Sequence, residues 1–339
     1  MMFVWMMILK KKLHQEGSLT VNLTVQQTTL LKERSLERED LEAFTRVFLS
    51  ESNAVVAVKR ISKGSKQGKK EYISEVKTIS HLRHKNLVQL IGWCHEQHEL
   101  FLVYEYMPNG SLDSHIFGAK TMLTWPVRYN IAQGLAFALL YLHEEWEKCV
   151  VHRDIKPSNI ILDSEFNAKL GDIGLARLVD HDLGSQTTLL AGTIGYIAPE
   201  CATIGKTSRE SDVYSFGVVS LEIASGRKPV EPHSEPSKVN LVEWVWDLYG
   251  KSQLLEAIDK RLGKEFDKEQ MECLMIVGLW CCHPDPTSRP SIRKVINVLN
   301  FEAPLPNLPS KLPEPNYFGS PMHMCKFSNT TFGLMGSKD

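Results

Sequence analysis

Asp154 and Asn159 stand five residues apart, with Lys156 between them, in the run Val150-Val151-His152-Arg153-Asp154-Ile155-Lys156-Pro157-Ser158-Asn159-Ile160-Ile161-Leu162. A carboxylate there can accept a proton, the ammonium beside it can neutralise negative charge as it develops, and an amide oxygen can serve a hard cation. The polar hexad is held between apolar runs, so the pattern predicts a charged loop pinned to a buried core at both ends. The bland alternative is an exposed turn that happens to hold His, Arg, Asp and Lys. The hexad alone does not separate the two.

Positioning such a loop takes a sizeable fold. The chain has 339 residues, 43% of them hydrophobic, enough to bury a core in two domains or lobes. Lys and Arg nearly balance Asp and Glu, giving a net charge of −1, whereas a nucleic-acid-binding protein would show a basic excess. The seven cysteines include no C-x-x-C pair, so reduced, mostly buried thiols in an intracellular protein are expected. Met1 to Leu9 is apolar, but a helix of that length covers only about 14 Å of a ~30 Å hydrocarbon core. The run also lacks the charge before it and the cleavage site after it that mark a signal peptide. No membrane-spanning segment is expected.

Ala54 to Lys59 reads as a strand, with Ala57 and Lys59 on one face and Val56 and Val58 on the other. Ile61 to Lys70 reads as a basic linker, and Lys69 to Leu82 as a helix with Ile73, Val76 and Ile79 along its apolar face. Asn86 to Trp93 and Glu99 to Tyr106 read as strands, and Met107-Pro108-Asn109-Gly110-Ser111 as a turn. From Leu112 the texture turns helical, over Trp125–Glu147, Ser211–Ala224, Asn240–Tyr249, Lys268–Cys282 and Ser291–Leu299. The second of these is apolar all round after a polar start, as in a fully buried helix. Beyond Phe301 repeated prolines without periodicity predict an extended tail.

Other stretches accompany the hexad in order: Val56-Ala57-Val58-Lys59, then Glu75, Leu102-Val103-Tyr104-Glu105-Tyr106-Met107, Asp172-Ile173-Gly174, Ala198-Pro199-Glu200, Asp212 and Arg289. The set, from about Phe48 to Pro313, resembles the plant receptor-like protein kinase family, closest to the L-type lectin receptor kinase group. That resemblance implies an α+β bilobal kinase fold. Its parts would be an atypical N-terminal segment at 1–47, a small sheet-and-helix lobe at 48–106, a larger helical lobe at 107–302 and a Pro-rich tail at 303–339.

The resemblance also implies ATP and Mg²⁺, a protein substrate and no nucleic acid. Lys59 would hold the α- and β-phosphates and pair with Glu75, while Ala57, Glu105, Met107 and Ile161 would surround the nucleotide and Tyr104 would take the gatekeeper position. Asp154 would act on the substrate hydroxyl, Lys156 on the γ-phosphoryl charge, and Asn159 and Asp172 on the metal. Glu200 would pair with Arg289, and Asp212 would brace the catalytic loop from beneath. Lys156-Pro157 is the serine/threonine form of this loop. Arg153 implies control by phosphorylation, with Ser185, Thr187 and Thr188 as unranked candidates and Thr193 rather placing the substrate. Family members are usually tethered to the plasma membrane, so the chain would sit in the cytoplasm or at the cytoplasmic face within a receptor complex.

Two departures qualify the resemblance. Ile173 replaces an aromatic, which predicts a changed active–inactive balance with metal binding retained. More seriously, no glycine occurs between Gly17 and Gly64, where a Gly-rich loop should cover the phosphates. In an ungapped alignment Glu37, Glu39, Asp40 and Glu42 take the glycine positions. Glu and Asp codons begin with GA, so a preceding G turns each into a glycine codon when read one nucleotide earlier. The reading therefore takes roughly Gln26 to Val47 as a frame-shifted loop, within the ±2–4 residues that sequence patterns allow. If the residues stand as written, the small sheet would lack its outer strand and ATP affinity would fall. The protein would then be a weak kinase or a pseudokinase scaffold.

Overall fold

The structure, a computed structural model, describes residues 44–49, 54–61, 66–96, 99–179, 186–187, 192–232 and 234–314. The first part is an antiparallel sheet in the order β1-β2-β4-β3, made of β1 (Phe44–Leu49), β2 (Ala54–Ile61), β3 (Leu90–Glu96) and β4 (Glu99–Glu105). Val56 and Val58 alternate into the core, as β-branched residues on a half-buried face do, and Lys59 is drawn in with them. One helix, α1 (Lys66–Ile79), accompanies the sheet.

The larger part is mostly helical. Its helices are α2 (Asp113–Ile116), α3 (Trp125–Leu140), α4 (Pro199–Ile204), α5 (Arg209–Ser225), α6 (Leu241–Gly250), α7 (Lys268–Cys281) and α8 (Ile292–Leu299). Helix α5 is buried almost along its whole length, so it has no polar face, as the sequence suggested. Short strands frame the catalytic loop: β5 (Gly110–Ser111), β7 (Ile160–Leu162) and β8 (Ala168–Leu170) form one sheet, and β6 (Cys149–Val151) pairs with β9 (Arg177–Val179). The run Val150–Leu162 therefore enters through one two-stranded ribbon and leaves through another sheet, with Val150, Ile155, Ile160 and Leu162 fully buried. Among the described residues no helix is long and apolar enough to cross a membrane.

Four expectations need correction. The sheet has its outer strand: β1 pairs with β2 from Phe44 against Lys59 to Leu49 against Ala54, and Val47 is buried there. The basic linker is shorter than expected, because α1 already begins at Lys66. Its core face carries Tyr72, Glu75 and Ile79, while Ile73 is 41% exposed. The apolar spacing misled because a charged residue, Glu75, occupies the buried stripe. Asn86 to Gln89 is not strand β3 but a connection that bridges at Leu87 to Leu170 of β8. Over 303–314 the Pro-rich segment has no helix or strand and packs back on the fold. Trp246 Nε1 donates to the Pro309 carbonyl at 2.9 Å, and Leu308 is buried against the α6 region.

Candidate active site

Lys59 lies in the middle of a three-stranded register, opposite Phe44 on one side and Leu102 on the other. Its ammonium is 3.0 Å from Asp172 Oδ1 and 3.7 Å from Glu75 Oε2, and it is only 2% exposed. A buried ammonium needs compensating charge, and these two carboxylates provide it. The hydroxyl of Tyr104, on β4, donates to the other oxygen of Glu75. Glu75 is thus held from two sides, by a cation and by a hydroxyl.

Asp172 follows β8 with a left-handed backbone, φ 55°, and its side chain is 38% exposed. Burial pushes its carboxyl up, but the charge and hydrogen bond of Lys59, with His152 and Lys156 nearby, hold it below its ordinary value. Ile173 is fully buried in the turn after it, filling the aromatic's place with an apolar side chain.

The catalytic loop is braced from below by Asp212 of α5. Its Oδ2 accepts from the His152 N–H at 2.7 Å and lies 2.9 Å from His143 Nε2, and its Oδ1 accepts from the Arg153 N–H at 2.8 Å. Arg153 has φ 75°, costly for a side chain with a Cβ, so the clamp holds a conformation the loop would not adopt alone. The His152 ring stitches the loop to the neighbouring segment. Its Nδ1 accepts from the Asp154 N–H at 3.3 Å, which makes Nε2 the protonated nitrogen, donating to the Gly171 carbonyl at 3.0 Å.

Asp154 itself is a gathered carboxylate. Lys156 Nζ is 2.7 Å from Oδ2, the Thr193 hydroxyl donates to Oδ1 at 2.8 Å, and Asn159 Nδ2 donates to Oδ2 at 3.1 Å and to the Asp154 carbonyl at 2.8 Å. Lys156 also donates to Thr193 Oγ1 at 2.9 Å, closing a three-residue ring. Neither bond of Asn159 uses its amide oxygen.

Glu200 and Arg289 form a bidentate pair with both N···O distances at 2.7 Å, and Arg289 also donates to the His283, Pro284 and Glu210 carbonyls. Ala57, Glu105, Met107 and Ile161 are each half-buried, Ala57 opposite Tyr104 and Ile161 opposite Lys169. The Glu105 N–H is taken by the Gln89 carbonyl at 3.1 Å. Of the expected phosphorylation sites, Ser185 and Thr188 lie outside the described residues, and the Thr187 backbone pairs with Lys206. Half-buried Arg153 sits beside Arg177; burial, then that neighbouring charge, lowers its pKa.

A family model described as "Protein kinase domain" matches residues 43–300. The chain belongs to the protein kinase family. The match begins at residue 43, just before β1, whereas the sequence pattern predicts a small lobe from residue 48. The chain is 59% identical over 303 residues to L-type lectin-domain containing receptor kinase IX.1 of Arabidopsis thaliana, covering 88% of this chain and 46% of that protein. Kinase IX.2 of the same plant is 58% identical, over 80% of this chain and 41% of its own length, and kinase VIII.1 is 48% identical over 79% and 38%. The chain thus spans under half the length of these curated relatives. Protein kinase domains in general use ATP and a divalent metal.

Residue patterns did not disclose every member of the site. Tyr104 was placed as a bulky gatekeeper, with no hint of its bond to Glu75. Buried His143 gave no signal, since a lone histidine on an apolar helix is usually a satisfied core residue. The same holds for Glu222 of α5, whose Oε1 accepts from the Tyr196 hydroxyl at 2.8 Å, three residues beyond Thr193.

Proposed function

We propose that this protein is a serine/threonine kinase that transfers the γ-phosphoryl group of Mg-ATP to Ser or Thr hydroxyls of a protein substrate. The observation that carries the reading is the convergence of Lys156, Thr193 and Asn159 on the Asp154 carboxylate. Those donors keep Asp154 oriented, so it accepts a hydrogen bond and then the proton from the incoming hydroxyl. Lys156, within reach of the same hydroxyl, neutralises charge on the transferring phosphoryl, and Thr193 sets the distance between the two. Lys59, held by Glu75 and Asp172, orients the α- and β-phosphates. Catalysis of this kind rests on positioning and electrostatics.

The metal site fits Mg²⁺. Asp172 offers a partly exposed carboxylate and Asn159 an amide oxygen outside its own hydrogen bonds, both hard donors. Among the described residues no three His, Cys, Asp or Glu side chains form a closed metal cage, which suits an ion that keeps water and phosphate ligands. When bound, it neutralises phosphate charge.

The naming of the relatives as receptor kinases supports a signalling setting, in the cytoplasm or, as part of a receptor, at the cytoplasmic face of the plasma membrane. Arg153 beside Arg177 suits a phosphate on the activation segment, with Ser185, Thr187 and Thr188 as the candidate hydroxyls. A pseudokinase reading keeps one specific support, the lack of glycine between Gly17 and Gly64. Autophosphorylation of the wild type and of Asp154→Asn decides between them. The variant should lose at least ~100-fold in phosphate incorporation; equal incorporation would remove the kinase reading.

A further inference from the structure

Behind the cleft, the connection after α1 is sewn to β8. Leu170 N–H donates to the Asn86 carbonyl at 2.8 Å, Val88 N–H to the Leu170 carbonyl at 3.0 Å, and Asn86 Nδ2 to the Ala168 carbonyl at 2.9 Å. Close approach is built in: a Cβ on Gly171 would meet Val88 Cγ2 at 3.1 Å, and one on Gly134 would meet Asn86 Nδ2 at 2.8 Å. Because β8 alternates, Ala168 and Leu170 point into the core and Lys169 points out. Its ammonium reaches Glu105 Oε1 at 3.0 Å, at the end of β4 where the chain passes from the small lobe to the large one. The same oxygen accepts the Gln89 N–H at 2.8 Å, so a single carboxylate oxygen joins the hinge, the small lobe and β8.

Three residues after Lys169 comes Asp172, the carboxylate against Lys59. The strand that anchors the hinge therefore also delivers the metal-side carboxylate. We infer that Lys169 is a positioning residue for the nucleotide: its ion pair with Glu105 fixes the hinge relative to Asp172, so that adenine and phosphates meet their partners in one lobe arrangement. The inference rests on the ATP-binding reading above. A hinge released from this pair samples several arrangements, and the apparent dissociation constant rises by the inverse of the competent fraction. The side chains are 16% and 30% exposed, which keeps the pair partly screened and its effect modest.

Titration of the full chain with Mg-ADP tests this, together with KM for ATP, kcat and thermal unfolding. Lys169→Met should weaken Mg-ADP binding and raise KM for ATP about three- to tenfold, with kcat changed less than about twofold. Lys169→Arg should restore binding. Glu105→Gln keeps an acceptor for the Gln89 N–H while removing the charge, and should give a similar loss that does not add to that of Lys169→Met in the double variant. Additive losses, or a coupling that appears in Tm but not in nucleotide affinity, would overturn the inference and leave the ATP reading intact. A wild type that does not bind Mg-ADP would overturn both.

Discussion

Asp154, Thr193 and Lys156 form a ring in which each member holds the others, so single substitutions should be separable by what they leave behind. Thr193→Ala removes one hydrogen bond to a carboxylate and one from an ammonium. Bonds to charged groups contribute ~1.5–3 kcal/mol, so kcat/KM should fall about 10- to 100-fold, with Thr193→Ser restoring most of it. Tyr104→Phe keeps the ring and deletes the hydroxyl bond to Glu75, so its cost should appear in KM for ATP, with the fold's Tm little changed. Glu222 carries a pH prediction. Burial pushes its carboxyl well above 4.5, with Asp113 adding to this and the Tyr196 hydroxyl opposing it. A carboxyl raised in the folded state contributes stability that is fully present below its unfolded pKa and lost as pH rises through the folded one. Glu222→Gln mimics the protonated form, so the Tm of the wild type should fall relative to that of the variant as pH rises above the ordinary carboxylate range. A parallel decline in both proteins would refute the assignment.

At the scale of elements, α1 shows an apolar pattern rotated by its function. Of Ile73, Val76 and Ile79, Ile79 is buried and Val76 packs on the core, but Ile73 is exposed and Tyr72 and Glu75 are buried, since delivering Glu75 to Lys59 fixes the rotation. Ile73→Lys should therefore change stability by less than about 0.5 kcal/mol in a denaturant titration, whereas Ile79→Ala should cost about 2–5 kcal/mol. Proline content predicts an extended tail, and over 303–314 that segment also packs: the Pro309 carbonyl takes the Trp246 indole N–H and Leu308 is buried. Ending the chain at residue 303 should lower stability by ~1–3 kcal/mol, read as an earlier urea midpoint, because it removes buried Leu308 and the hydrogen bonds of residues 308 and 309 to Trp246 and Tyr249.

For the whole molecule, two questions meet at the small lobe. Outer strand β1 covers β2, so residues 44–47, although part of the stretch read as frame-shifted, pair in register. The acidic positions Glu37 to Glu42 lie outside the described residues, and sequencing the transcript across them tests the frame-shift reading: an in-frame message encoding these same residues would end it. Family resemblance supplied the Glu200 and Arg289 pair, 89 residues apart, whereas the catalytic loop and the Lys59 strand were legible because each combines a fixed residue type with local spacing, and local spacing is what a chain writes directly. The lobe order, the fully buried α5 and the class of chemistry came the same way. Contacts between distant residues were not legible, because pairing depends on the rotation of α1, the register of β8 against residues 86–88 and the return of 303–314. Sequence alone thus determined the family and the local motifs that nominate the site residues. Tertiary structure alone decided that Tyr104 holds Glu75, that Thr193 closes on Asp154 and that Lys169 reaches the hinge, since those distances exist only once the core has packed.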